Sequence, residues 1–203
     1  MAETVTQVDL IRHGEPVGGS GRYRGKIDDP LSDKGWQQMR EAVADHCPWQ
    51  AIVSSPLLRC AAFATELGQR HRLPVVFDGR LMEIGFGEWE GLTKEQIVAQ
   101  DPSALQRFYD DPISHRPAGA ETLAEFQHRI VSAWGALLAD YAGQQLLLVG
   151  HAGVIRMVVR HVLDAPLESM FRIHVPNAGI TRIRIDGQGA QAMASLMFHA
   201  GRL

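Results

Sequence analysis

"QLLLVGHAGVIRMVVRHVL", residues 145–163, decides the architecture. Gln145 to Val149 is an apolar run of strand length. Val154, Ile155, Val158, Val159, Val162 and Leu163 then recur at helical spacing and form a wide apolar stripe. A strand that is apolar on successive residues is covered on both faces, which is the habit of parallel sheets flanked by helices. Between strand and helix lies Gly150-His151-Ala152-Gly153. Its small residues allow close backbone approach, and the helix start offers free N–H groups to an anion.

The same grammar repeats upstream. Thr4 to Ile11 reads as a strand, followed by Arg12-His13-Gly14 and the loop Gly18-Gly19-Ser20-Gly21. Ser32 is an N-cap for a helix carrying Trp36, Met39 and Val43. Ala51 to Val53 is a short strand. Ser55-Pro56 reads as N-cap and first position of a helix through Leu57, Ala61, Ala64 and Leu67. Leu73 to Phe77 is a third strand, and 78–92 a glycine-bearing loop. Short helices follow near 93–100 and 102–110, then a long one through Leu123, Phe126, Ile130, Trp134, Leu137 and Tyr141. Thr181, Ile183 and Ile185 alternate with Arg182 and Arg184; Asp186-Gly187 turns this strand into another at about 191–198. The expected fold is a three-layer α/β/α sandwich with a mostly parallel central sheet and antiparallel edge strands, in a single domain over residues 1–203.

Composition narrows the classes. The 203 residues are 45% hydrophobic and 21% charged, ordinary for a folded domain with a substantial core. A net charge of −3 does not favour nucleic acid as a partner. No run is long enough to span a membrane, and Met1 to Gln7 lacks the pattern of a secretory signal. Cys47 and Cys60 show no metal-type spacing and read as small apolar residues of a cytoplasmic chain. A monomer or homodimer is expected.

Ligands of open α/β sheets sit beyond the carboxyl ends of the strands. Those ends carry Arg12-His13-Gly14, "SSPLLR" (54–59), "RLMEIGFGEWEGL" (80–92) and Gly150-His151-Ala152-Gly153. Arg59 falls in the first turn of a helix, where a cation is disfavoured by about 0.3–1 kcal/mol unless an anion binds there. Taken singly, each residue has a bland reading: a charged turn for Arg12-His13, a screened surface cation for Arg59, a packing histidine for His151. Taken together they suit phosphoryl chemistry. Two guanidinium groups can grip equatorial oxygens while a neutral imidazole, favoured by the nearby positive charge, attacks phosphorus. Glu83, desolvated near Phe86 and Trp89, suits protonation of the departing oxygen, with Glu88 and Glu90 as competitors.

"LIRHGEP" (10–16), "SSPLLRC" (54–60), "LMEIGFGEWEGL" (81–92) and "LLVGHAGVIR" (147–156) together resemble the histidine phosphatase superfamily, which includes phosphoglycerate mutases and many phosphatases. The resemblance spans residues 5 to about 160 and implies a phosphoglycerate mutase-like fold. It implies His13 as the nucleophile that becomes phosphorylated, with Arg12, Arg59 and His151 completing the phosphate pocket, and Gly25 and Ala152 contributing backbone to it. It implies Glu83 as proton donor, then as base for the hydrolysing water, and neither metal nor cofactor. "GRYRGKIDDPLSDKG" (21–35), "GFGEWEG" (85–91) and "RPAGAETLAEFQHRI" (116–130) look most like alpha-ribazole phosphatases, which act on alpha-ribazole 5′-phosphate in assembly of the cobalamin lower loop. The expected partner is therefore a small phosphomonoester. A phosphoglycerate mutase-like enzyme or broad sugar-phosphate phosphatase is the alternative, and a non-catalytic phosphate-binding protein a third. Many relatives carry Asn shortly after Arg-His-Gly; here Pro16-Val17-Gly18-Gly19-Ser20 has none, and Arg22, Arg24, Lys26 or the backbone near Gly25 stand in the same loop. Arg24, Tyr23 and Glu121 are the candidate substrate contacts; Phe86, Trp89, Phe108 and Tyr109 are candidates for stacking or for core. His46, His71, His115, His128, His161, His174 and His199 read as ordinary surface or core histidines.

Overall fold

The computed structural model describes residues 4–189 and 192–203. Six strands form one sheet: β1 (Val5–Arg12), β2 (Ala51–Ser54), β3 (Val75–Phe77), β4 (Gln145–Gly150), β5 (Ile180–Asp186) and β6 (Met193–Gly201), in the spatial order β3-β2-β4-β1-β5-β6. β1, β2, β3 and β4 run parallel, while β5 pairs antiparallel with β1 and β6 antiparallel with β5. The expected last strand began at about 191; Gln191 lies outside the described residues, as do Met1 to Glu3 of the stretch read for a signal. No helix among the described residues is long and apolar enough to cross a membrane.

Among the described residues six α-helices cover the sheet: α1 (Asp33–Val43), α2 (Leu58–His71), α3 (Lys94–Gln100), α4 (Ala104–Asp110), α5 (Leu123–Asp140) and α6 (Ala152–Val162). The strand period of two divides the core cleanly. In β4, Leu146 and Leu148 pack under α5 and α6 with Phe126, Ile130 and Val154. Leu147 and Val149 pack on the other face with Met39 of α1 and Phe63 of α2. Both faces are thus dry, which is why "LLLV" reads as continuous rather than alternating.

Helix starts are set by side chains. Ser32 caps α1 as expected, accepting the Gly35 N–H. Thr93 and Thr122 open α3 and α5 with reciprocal bonds to Gln96 and Glu125. The Ser55-Pro56 expectation is corrected: α2 begins at Leu58, and its first N–H is taken by Asp28 Oδ1 (2.6 Å) from the loop after β1. The Ser55 hydroxyl is used elsewhere.

Candidate active site

Sheet register assembles the site. Arg12 of β1 lies opposite Gly150 of β4, and the His13 N–H donates to the Gly150 carbonyl (2.9 Å). His13 and His151 therefore leave adjacent parallel strands at the same level, with ring centroids 5.2 Å apart and edge to face. On the other side of β4, Ser54 lies opposite Val149, so Ser55 follows at the level of Gly150, one residue before His151. Ser55 Oγ is hydrogen-bonded to His151 Nε2 at 2.8 Å and also accepts the Leu57 N–H.

The His13 ring is nearly sealed, at 5% exposure. Its Nδ1 meets the Gly14 carbonyl at 2.7 Å, and a carbonyl only accepts, so Nδ1 carries the proton and Nε2 keeps its lone pair. Gly14 itself is fixed by packing: a Cβ there would strike the Gly35 backbone in the first turn of α1. His13 titrates well below the usual histidine range, first because of burial and then because of the Arg12 and Arg59 charges. His151 is lowered for the same reasons, burial first and Arg59 next. At both histidines burial is a larger cause than the neighbouring charges.

Arg59 is not a surface cation. It is 1% exposed and donates to the carbonyls of Ile27 (2.6 Å) and Gly25 (2.9 Å), tying the loop after β1 to α2. Arg12 donates to the Val175 carbonyl (2.7 Å), and burial lowers its pKa to about 10. The Nε atoms of both arginines are buried without a protein acceptor. Arg116 and Arg160 also carry such atoms, so an orphaned donor alone marks nothing; at Arg12 and Arg59 it coincides with two neutral histidines.

Glu83 accepts the N–H groups of Ile84 (2.9 Å) and Gly153 (3.1 Å), which sets it over the start of α6. A Cβ on Gly153 would collide with this carboxylate, which explains the small residue after His151-Ala152. Ala152 is the first residue of α6, so its N–H has no acceptor within the helix. The competitors stand apart: Glu88 is exposed, and Glu90 accepts the N–H groups of Phe86 and Lys26.

The remaining candidates divide. Arg24 is buried, donates to Asp29 (2.9 Å) and the Val17 carbonyl (2.8 Å), and its charge reaches His13. Gly25 has φ +53° and gives its carbonyl to Arg59. Tyr23 shares a hydrogen bond with the Tyr109 hydroxyl (2.8 Å) and packs edge-on against Phe86 and Trp89, which are core with Phe108. Glu121, just before the α5 cap Thr122, is gripped by Arg129 at 2.6 and 2.8 Å. With Lys26 it lines a polar groove of about 650 Å³. Arg22 donates to the Gly91 carbonyl.

Four residues escaped the sequence reading. Arg129 donates to the carbonyls of Arg80, Met82 and Glu83, holding the segment that carries Glu83; its signal was a cation beside Phe126 and Ile130 on the inward edge of α5. Asn177 donates to the His13 carbonyl (3.2 Å) and accepts the Ser20 hydroxyl (3.1 Å), so an asparagine does reach this loop, from the far end of the chain. Asp28 caps α2. Arg156 adds a further positive charge beside Arg12 and Glu83. Cys60 is buried against His151, as a small apolar residue would be, whereas Cys47 is only half-buried.

Known proteins share this fold. The chain is 31% identical over 194 residues to the bifunctional protein Rv2228c of Mycobacterium tuberculosis, covering 94% of this chain and spanning 53%, about half, of that relative. It superposes with a TM-score of 0.83 on a mycobacterial glucosyl-3-phosphoglycerate phosphatase solved with VO3, at 28% identity over 96% of this chain and 98% of that one. The alpha-ribazole phosphatase of Shigella flexneri superposes with a TM-score of 0.80, at 26% identity over 97% and 96%. The family model for the histidine phosphatase superfamily (branch 1) matches residues 8–195, and the chain belongs to that family.

Proposed function

We propose that this domain hydrolyses phosphomonoesters through a phosphohistidine on His13. The observation that carries the reading is a buried imidazole whose Nδ1–H is pinned by the Gly14 carbonyl and whose neutrality is enforced by burial, Arg12 and Arg59. The lone pair on Nε2 attacks phosphorus; the N–P bond forms as the P–O ester bond breaks. Arg12, Arg59, His151 and the Ala152 N–H hold the three equatorial oxygens as their charge grows. Arg24 supports them from the loop. Glu83 gives its proton to the leaving oxygen, then takes one from a water that attacks phosphorus and frees His13. The net result is ester plus water to alcohol plus inorganic phosphate, with no metal or cofactor in the route.

The substrate reading rests on other residues. The stretches at 21–35, 85–91 and 116–130 favour alpha-ribazole 5′-phosphate, consumed in the cytoplasm during cobalamin assembly, and the exposed Tyr109, its hydroxyl bonded to that of Tyr23, offers a ring to its base. A phosphorylated acid is the second reading, favoured by the Arg156 cation, whose charge acts on Glu83. The experiment is single turnover in EDTA over a panel of phosphomonoesters, with quenched protein analysed by mass. One phosphoryl group on the peptide bearing His13 is expected. Full hydrolysis by His13→Asn, or activity abolished by the chelator, would refute the mechanism.

A further inference from the structure

Ser55 decides more than the local geometry before α2. It is the residue after β2, and its Oγ stands 2.8 Å from His151 Nε2. A hydroxyl has one proton to give and two lone pairs. One lone pair of Ser55 takes the Leu57 N–H at 3.3 Å. Ser55 is sealed from solvent, and among the described residues its Oγ meets these two partners alone. The hydroxyl proton therefore has one acceptor within reach, His151 Nε2. A proton on Nε2 instead would set two donors against the oxygen and leave its own proton unanswered in a dry site, which is costly.

A neutral imidazole carries a single N–H. His151 is neutral, held there by burial first and by the Arg59 charge next. With Nε2 accepting, the proton sits on Nδ1. Among the described residues no oxygen takes it. Cys60 Sγ lies 3.8 Å from Nδ1 and 3.6 Å from Nε2, and such nearly equal distances place the sulfur on neither N–H line. The Cys60 proton goes to the Gly150 carbonyl at 3.4 Å. The two nitrogens of an imidazole point roughly opposite ways across the ring. Nε2 is turned to β2, so Nδ1 is turned to the β1 side of β4, where His13 leaves its strand.

On the reading of the site as a phosphomonoesterase, we infer that Ser55 is a positioning residue that fixes His151 as the Nδ1–H tautomer, giving the phosphoryl oxygens a donor where the other tautomer would give them a lone pair. The competing role is purely structural: Ser55 would hold Leu57 at the approach to α2 and leave the imidazole proton free to choose either nitrogen.

Nitrogen NMR on the full chain, labelled with 15N-histidine, separates the two. The His151 ring is identified by its disappearance in His151→Gln. At neutral pH the parent is expected to show a protonated Nδ1 and a bare Nε2. Saturating inorganic phosphate should shift the Nδ1 signal more than the Nε2 signal. Ser55→Ala should populate the Nε2–H form, and Ser55→Thr, which keeps the hydroxyl, should restore the parent pattern. In turnover Ser55→Ala should lower kcat by about 10²-fold, the lower end of what losing one anion donor costs. The factor should be the same for alkyl phosphates and p-nitrophenyl phosphate, because the equatorial oxygens are common to both. The parent spectrum and its phosphate titration need no variant, so a Ser55→Ala chain that fails to fold does not shelter the assignment. If no ester turns over but the parent shows the Nδ1–H form and phosphate shifts it, the hydrolase reading fails and the Ser55 assignment stands. An Nε2–H form in the parent, an unchanged tautomer or unchanged kcat in folded Ser55→Ala, or an Nδ1 signal indifferent to phosphate would overturn the assignment.

Discussion

One strand carries two buried polar groups with opposite fates. Asp9, mid-strand in β1, is fully buried and fully answered: Trp49 Nε1 donates at 2.9 Å, and Arg182 donates twice at 2.7 and 3.0 Å. Arg12 and His13, three and four residues on, end the same strand and are left short. Arg12 Nε has no protein acceptor, and His13 is held neutral among cations. A satisfied network specifies a packed core; a cationic one with donors to spare costs stability and is ready for an anion. The contrast separates structure from function more sharply than burial does, since Asp9, His13 and Arg59 are all nearly inaccessible.

The comparison can be broken by substitution. The largest effect belongs to the unsatisfied end: His13→Asn should lower turnover by about 10⁴-fold, as removal of a covalent nucleophile does, and form no phosphoenzyme on quenching. The satisfied pair should respond in the other currency. Asp9→Ala strands the Arg182 charge and the Trp49 donor and should cost about 3–5 kcal/mol in denaturant unfolding, with kcat/KM per folded molecule unchanged. A matching loss of kcat/KM would show that the two regions are coupled. Glu83→Gln should reduce kcat by about 10²–10³-fold for alkyl phosphates and much less for p-nitrophenyl phosphate, whose leaving oxygen needs no proton. Equal losses on both esters would remove Glu83 as acid.

The most gradual effect is in pH. His13 and His151 titrate well below 6.5 in the fold, whereas the unfolded chain binds their protons near 6.5. The unfolded state therefore holds more protons just below that pH. Stability is complete above about 6.5 and falls as pH drops toward the folded values, by about 1.4 kcal/mol per pH unit for each histidine. Unfolding of the parent from pH 7 to 5 measures the slope, and His13→Asn should remove one proton of it. An unchanged slope would mean that His13 is not held neutral.

Much of this was legible beforehand, for reasons that differ by residue. β4 and α6 were readable because burial on both faces leaves a continuous apolar run and a helix leaves its 3.6 period. Ser32 was readable because capping is local. Ser55 was misread by the same logic: Ser-Pro before a helix is a sound capping signal, but Asp28, thirty positions before Leu58, takes the first helical N–H, while Ser55 meets His151 and the Leu57 N–H ahead of the helix. Arg129, Arg156 and Asn177 left no signal that spacing could catch, since their partners at 80–83, 173 and 13 are remote in the chain.

By itself, the sequence determined the order of strands and helices, the layering, and the four strand ends at which chemistry could stand, because hydrophobic period and backbone geometry are local properties. Tertiary structure alone decided which of those residues meet. Parallel register set His13 beside His151, and the loop after β1 folded over Arg59 until its guanidinium was held by the Gly25 and Ile27 carbonyls. The neutrality of His13 followed from that enclosure, because desolvation, the largest cause of its lowered pKa, exists only once the chain has closed around it.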